Sequence, residues 1–238
     1  MKDTFITRIA GAFSILSVVA QLAAIGVAFS LGIIPAGTID LGDAAQLVAA
    51  NANHAASVLG LSLATLAPAV ALPLGLGLYV VLKPAKGYAL FGLVMFYVGM
   101  TITLVHEVLR VVLFARLPPA YAAAPEAAQP AILVLGDVLT HADAMFSLFS
   151  FIVSFGLGFS AFALAILGLR VVPRWLGWIL LVPAVGVGLI GFPLLFFGVA
   201  AAGMLIPPGM SLFLVWQMAI GVVLLRWQPP ADFALQRS

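Results

Sequence analysis

The sequence contains no cysteine. This absence excludes disulfides, iron–sulfur clusters, thiolate zinc sites and cysteine nucleophiles, and it leaves the redox compartment undetermined. Charged residues are nearly as scarce, because Asp, Glu, Lys and Arg make up 8% of the 238 residues while hydrophobic residues make up 64%. So few charges cannot cover a folded surface well enough to keep the chain in water. The solvent of this chain is therefore lipid.

The formal net charge of +2 also limits the class of partner. The basic residues stand at the ends of apolar segments and form no basic patch, and the sequence carries no nucleic-acid-binding motif. We therefore predict that the chain contacts the lipid bilayer and binds no nucleic acid.

Long apolar runs fill most of the sequence. A helix needs roughly 20 apolar residues to cross about 30 Å of hydrocarbon. Six stretches reach that length: 9–34, 55–82, 88–117, 131–169, 175–198 and 204–225. Strands of a membrane barrel would alternate apolar and polar residues, whereas these runs are apolar at consecutive positions. The sequence predicts an all-α polytopic bundle with six spans, forming a single integral membrane domain over residues 1–238.

The basic residues predict the orientation of this bundle. Of the 10 Lys and Arg residues, only Arg110 and Arg116 belong to the side of the odd-numbered connections. The others stand at the termini and the second and fourth connections: Lys2, Arg8, Lys83, Lys86, Arg170, Arg174, Arg226 and Arg237. Because cytoplasmic loops carry the excess of Lys and Arg, both termini are predicted to be cytoplasmic.

Single cysteines test this orientation cleanly, since the chain has none of its own. We expect Asp40→Cys and Glu126→Cys to react with an impermeant thiol reagent in intact cells, because both lie in predicted outer loops. Lys86→Cys is expected to react only after the membrane is opened. The reverse pattern of labelling would show that the topology is inverted.

The fourth stretch is too long for one straight crossing. At about 1.5 Å per residue it spans almost twice the hydrocarbon thickness. We expect its first third, which carries Asp137, His141 and Asp143, to lie outside the lipid, and Gly156 and Gly158 to provide a bend.

Prolines interrupt two other spans, and they predict kinks there. They are Pro68 and Pro73 in the second span and Pro183 and Pro193 in the fifth. The fifth span also contains Gly186, Gly188 and Gly191, which remove side-chain bulk. We therefore predict that the fifth span contributes to a cavity or a kinked packing face rather than forming a straight helix.

The ionisable side chains within the spans form two groups, both toward the outer face. His106, Glu107 and Arg110 come late in span three, and Asp137, His141 and Asp143 come early in span four. A charge at the membrane centre costs about 2.5–3.5 kcal/mol on insertion scales, so pairing is expected. Glu107 and Arg110 are three residues apart, and Asp137 and His141 are four apart, which places each pair on one helix face.

These spacings predict one structural polar network that joins spans three and four. Its members are Glu107, Arg110, Asp137, His141 and Asp143. A short loop is expected to return the chain beside span three, and its prolines are Pro118, Pro119, Pro125 and Pro130.

A metal site is an alternative interpretation of the same groups. Imidazoles and carboxylates at one depth suit zinc or iron, and the candidate ligands are His54, His106, Glu107, Asp137 and His141. His106 and Glu107 begin like the HExxH motif, but Arg110 stands where the second histidine belongs. Haem between His54 and His141 is geometrically possible and has no other support. No catalytic residue is assigned, and the cofactor stays unknown.

A solute or proton path is a second alternative. A seam of small and polar residues recurs at three- and four-residue steps down span four: Asp143, Ser147, Ser150, Ser154 and Gly158. Ser14, Ser17 and Gln21 do likewise on span one. Small hydroxyl residues more often join membrane helices, and no carboxylate stands at mid-depth to relay protons. Gln217 in the last span likewise predicts a hydrogen bond between helices.

Several short motifs resemble one family of membrane proteins. They are Arg8-Ile9-Ala10-Gly11, Gly42-Asp43-Ala44-Ala45, Leu78-Tyr79 with Leu82-Lys83-Pro84, His141, and Pro173-Arg174-Trp175-Leu176-Gly177. Together they resemble the bacterial proteins classified as domain of unknown function 4386, over nearly the whole chain. The resemblance implies a six-span inner-membrane protein and brings no catalytic residues. His141 matches a family position, and His106 and Arg110 are not matched.

These observations favour a multi-pass protein of a bacterial inner membrane that acts as a binding or accessory component. Its expected partners are a lipid, a pigment or other subunits of a membrane complex. A small-molecule or ion transporter is the first rival, and a metal-dependent membrane enzyme is the second; an enzymatic role is the less favoured reading.

Overall fold

The computed structural model describes residues 2–30, 44–49, 54–169 and 171–229, and every regular element in these ranges is helical. The α-helices are α1 (Lys2–Ser30), α2 (Ala44–Ala49), α3 (His54–Leu82), α4 (Gly87–Ala123), α5 (Gln129–Ser150), α6 (Phe159–Gly168), α7 (Arg174–Pro183), α8 (Phe192–Phe196) and α9 (Ile206–Arg226). Two π-helical segments are π1 (Phe151–Gly158) and π2 (Ala184–Gly191). Short 3-10 helices occupy Lys83–Ala85 and Ala200–Leu205.

Six helical stretches are long and apolar enough to cross a membrane. They are Asp3–Gly26, Ser62–Ala85, Gly87–Ala123, Gln129–Gly168, Arg174–Phe196 and Ala200–Arg226. Large apolar side chains such as Leu16, Val98 and Val215 face outward on these helices, as they do where lipid replaces water. The predicted all-α bundle with six spans is therefore confirmed, while its orientation stays a prediction.

The third span ends later than the sequence predicted. Pro118 and Pro119, expected in a loop, lie inside α4, which continues to Ala123. At 37 residues and about 1.5 Å per residue, α4 is about 55 Å long. Its last turns therefore extend beyond about 30 Å of hydrocarbon, where water can bond the carbonyls that prolines leave unpaired. Leu117 packs there against Ala44 of α2, and this packing favours helix over loop.

The bends predicted for spans four and five are π-helical segments. Gly156 and Gly158 lie in π1, which connects α5 to α6. In the fifth span α7 ends at Pro183, and π2 leads from there into α8. The fifth span is therefore interrupted, as predicted. In the second span α3 continues through Pro68 and Pro73 as one helix, and the kinks at these prolines stay a prediction.

The spans pack in the order in which the chain visits them. α1 contacts α3, α3 contacts α4, α4 contacts α5, π1 and α6, α6 contacts α7, α7 contacts α9, and α9 returns to α1. The contacts thus close into a ring of six spans. Hydrogen bonds reinforce it, since Ser17 Oγ donates to Ala67 O at 2.8 Å and Tyr97 Oη donates to Leu72 O at 2.9 Å.

The best-buried apolar side chains lie near one end of this ring. Most belong to the helical turns that approach Lys83, Gly168, Arg174 and Arg226, the predicted cytoplasmic ends. They include Leu78, Leu82, Phe162, Ile166, Leu176, Leu180, Ile220 and Leu224, each at most 1% exposed. The bundle is therefore tightly packed at this end. A cavity that could bind a ligand is expected in the other part of the bundle.

Candidate functional site

A cavity of about 300 Å³ lies between spans one, two, three, four and six. Most of its lining is apolar. Phenylalanines from three spans form much of the wall: Phe96, Phe151, Phe155, Phe159 and Phe213. Several of these rings touch edge to face, with centroids 5.4 Å apart for Phe96 and Phe159 and 4.7 Å apart for Phe155 and Phe213. These phenylalanines therefore form an aromatic part of the wall, and contacts between their rings fix their positions.

Charged and titratable groups lie at the end of the cavity farther from Lys83 and Arg226, which is the predicted outer end. We define the charged cluster as His106, Glu107, Arg110 and Asp143. Arg110 donates from both Nε and Nη2 to Asp143 Oδ2, each at 3.0 Å. Arg110 Nη1 also lies 3.7 Å from Glu107 Oε1. The guanidinium therefore joins spans three and four, with its stronger contacts to Asp143.

His106 lies between the two carboxylates of the charged cluster. Its Nδ1 is 3.5 Å from Asp143 Oδ1, and its Nε2 is 3.9 Å from Glu107 Oε1. The residue is 2% exposed and lines the cavity together with Glu107. His106 Nδ1, Glu107 Oε2 and Asp143 Oδ1 have no hydrogen-bond partner among the described protein groups. Buried polar atoms are usually paired, so the charged cluster beside the cavity has unused hydrogen-bonding capacity.

Two glutamines form a second polar element on the wall. Gln21 Nε2 lies 3.3 Å from Gln217 Oε1 and 3.2 Å from Ser17 Oγ, and Ser14 Oγ donates to Gln217 O at 2.8 Å. These contacts join spans one and six, so the predicted hydrogen bond between helices at Gln217 is confirmed. Counting from Arg226, Gln217 lies about 14 Å into the bundle, near mid-depth.

Ser147, Ser150 and Ser154 of span four are buried, and two of them hydrogen-bond within their own helix. Ser150 Oγ donates to Ser147 O at 2.8 Å, and Ser154 Oγ donates to Ser150 O at 2.6 Å. These hydroxyls bond to their own helix, which is common for Ser in a helix. The small side chain of Ser154 also allows close packing on Gly99 of span three, where an added Cβ would clash with the backbone nitrogen of Ser154, as expected for small residues between membrane helices. Ser150 and Ser154 still line the cavity.

Asp137 and His141 lie outside the charged cluster, although the sequence predicted them as members of the network. Asp137 Oδ1 accepts the N–H of Ala44 at 2.8 Å and so holds the first residue of α2. His141 is exposed, and its Nδ1 lies 2.7 Å from Asp137 O. A helix turns by about 100° per residue, so Asp143 points away from the face that Asp137 and His141 share.

The metal interpretation finds no matching arrangement in the part of the chain that the structure describes. Within it, no three His, Asp or Glu side chains come close enough together to hold a metal ion. Of the candidate ligands, His106 and Glu107 share the cavity, whereas Asp137 and His141 are directed elsewhere. His54 begins α3, and its side chain lies outside the described residues.

Comparisons with protein-family models, with curated proteins and with solved structures find no match to this chain.

Proposed function

We propose that this chain is a binding protein of a bacterial inner membrane that holds a small, mainly apolar molecule inside the helical bundle. The observation that carries the proposal is the cavity of about 300 Å³, with its apolar lining and one polar end. Ligand sites are typically concave and apolar, with a few convergent polar groups that orient the ligand. Membership of the family classified as domain of unknown function 4386 belongs to the same proposal and rests on the sequence motifs.

The cavity combines the two features that such a ligand needs. Its phenylalanines offer dispersion contacts to an apolar ligand, and the polar side chains of His106 and Glu107 line one end of it. An accessory subunit of a larger membrane complex falls in the same class of function, with a lipid, a pigment or a neighbouring protein supplying the group that is bound.

A transporter is the second candidate, and the π-helical segments favour it. Phe151 of π1 lines the cavity and stacks on Phe192, with ring centroids 3.9 Å apart. π-Helical turns are frequent at functional sites, and interrupted spans are common beside transported substrates. Uptake of a bound ligand into proteoliposomes would separate this candidate from a binding protein, which would hold the ligand without moving it.

A cavity-filling variant tests the proposed function. Ala71 lines the cavity and is 8% exposed, so Ala71→Phe is expected to place a ring in the space that the ligand occupies. Val98→Phe is the matched control, because Val98 is 47% exposed on the outer face of α4. We expect native mass spectrometry of protein from native membranes to find a bound small molecule whose occupancy falls at least ~10-fold in Ala71→Phe alone.

Two results would overturn the proposal. One is equal occupancy in Ala71→Phe, Val98→Phe and the unmodified protein, which would place the bound molecule outside the cavity. The other is an unmodified protein that carries no small molecule and whose melting temperature does not change when total membrane lipid extract is added.

A further inference from the structure

The charged cluster contains more negative than positive groups. Its two carboxylates, Glu107 and Asp143, face the single guanidinium of Arg110. One negative charge is then left over in a largely buried place. A cation bound beside the cluster would balance it.

The geometry places the excess negative charge on Glu107. Arg110 directs two hydrogen bonds of 3.0 Å to Asp143 and approaches Glu107 only to 3.7 Å, at Oε1. Glu107 Oε2 is buried without a hydrogen-bond partner among the described groups. Glu107 also lines the cavity, so its side chain brings a formal negative charge to the cavity wall.

No lysine or arginine that would favour an anion stands among the described residues of the cavity lining. Among the same residues Glu107 is a carboxylate. The phenylalanine wall adds to this preference, because the face of an aromatic ring attracts a cation and repels an anion. Carboxylate and rings together fit a positive group attached to an apolar body.

We infer that the cavity selects lipophilic cations, meaning protonated or quaternary amines with an apolar tail or ring. The ammonium lies against Glu107, and the apolar part packs on the phenylalanine wall. This inference rests on the proposed binding function and adds the charge of its ligand. A neutral molecule of the same shape would gain the apolar contacts alone, and an anion would meet the carboxylate.

A pair of ligands that differ only in charge tests the inference. The probes are 4-phenylbutyltrimethylammonium and its neutral tert-butyl isostere, measured by equilibrium dialysis against the full-length protein in nanodiscs, with empty nanodiscs subtracted. We expect the ammonium to bind at least ~10-fold more tightly than the isostere. In Glu107→Gln this preference is expected to disappear while binding of the isostere is kept, because the amide keeps the shape of the carboxylate and loses its charge.

Matched variants make the outcome decisive. Glu126→Gln removes a carboxylate from an exposed loop and is expected to keep the full preference. Phe155→Leu reduces the aromatic wall without touching a charge and is expected to lower the preference for the ammonium ~3-fold, which keeps the test available if Glu107→Gln does not fold.

The inference and the proposed function fail in different ways. Equal binding of both probes, abolished by Ala71→Phe, would overturn the charge selectivity and leave the binding function standing. A preference for the ammonium that persists in Glu107→Gln would overturn the role of Glu107. Absence of binding by either probe, together with no ligand in protein from native membranes, would overturn both.

Discussion

Replacing Asp143 with alanine is expected to lower the free energy of unfolding by about 3 kcal/mol. Removing one partner of a buried ion pair leaves the other charge uncompensated, which costs roughly 3–5 kcal/mol. Arg110 would lose both of its 3.0 Å hydrogen bonds and keep only the longer contact with Glu107. The lower end of the range applies because the Arg110 side chain is 18% exposed. Denaturant unfolding in a single detergent measures the change.

Variants of Arg110 separate charge from geometry at the same contact. Arg110→Ala should lose about as much stability as Asp143→Ala. Arg110→Lys should lose less, because the charge remains while the planar fork that reaches Asp143 twice is gone. Glu126→Ala is the control, since an exposed carboxylate is expected to change stability by no more than about 0.5 kcal/mol. If Asp143→Ala were as stable as Glu126→Ala, the Arg110–Asp143 contact would contribute nothing to holding spans three and four together.

The number and type of the spans could be predicted from the sequence because the bilayer imposes a length and excludes unpaired backbone groups. The ends of the spans could not, because they depend on contacts outside the lipid. Pro118 and Pro119 show this difference. Taken alone, two consecutive prolines indicate the end of a helix. In the structure Leu117 and Pro118 are buried near α2 and α5, and this packing keeps α4 helical past both prolines.

The charged cluster could be predicted only in part. The spacing of Glu107 and Arg110 predicted that their side chains lie close together. In the structure Arg110 Nη1 is 3.7 Å from Glu107 Oε1. The partners contributed by span four depend on which face of α5 meets α4. Asp137 and Asp143 are six residues apart, so only one of them points at Arg110. The spacing of Asp143, Ser147 and Ser150 was a readable signal, because it places Asp143 on the polar face of span four. In the structure that face is buried, together with Thr140.

The cavity itself could not be predicted, because its walls come from five spans that are distant in sequence. Phenylalanine is common in membrane helices, and nothing in the spacing of Phe96, Phe155 and Phe213 distinguishes a cavity wall from a lipid-facing surface. Their convergence is a property of the ring of spans. The glycine-containing repeats Gly156-Leu157-Gly158 and Gly186-Val187-Gly188 indicated irregular helices, but they did not indicate that π1 and π2 pack against each other.

That contact is a close approach of two backbones. A Cβ placed on Gly188 would lie 2.6 Å from Gly156 N and 2.7 Å from Gly156 Cα. Both atoms are backbone, which cannot rotate away as a side chain can. Gly186 stands two residues earlier in the same segment, and a Cβ placed there would meet nothing within 4 Å. The two glycines therefore share a helix and differ in what surrounds them.

Gly188→Ala is expected to destabilise the protein by about 3 kcal/mol, because adding a methyl group to a filled contact forces backbone shifts that typically cost 1–3 kcal/mol. Gly186→Ala is the matched control and should be neutral or slightly stabilising, since alanine favours a helix over glycine by about 1 kcal/mol. Denaturant unfolding of both variants in one detergent measures the difference. Because π1 also carries Phe151 and Phe155, Gly188→Ala should weaken ligand binding in the cavity as well. Equal stability of the two variants would mean that π1 and π2 do not pack through these glycines.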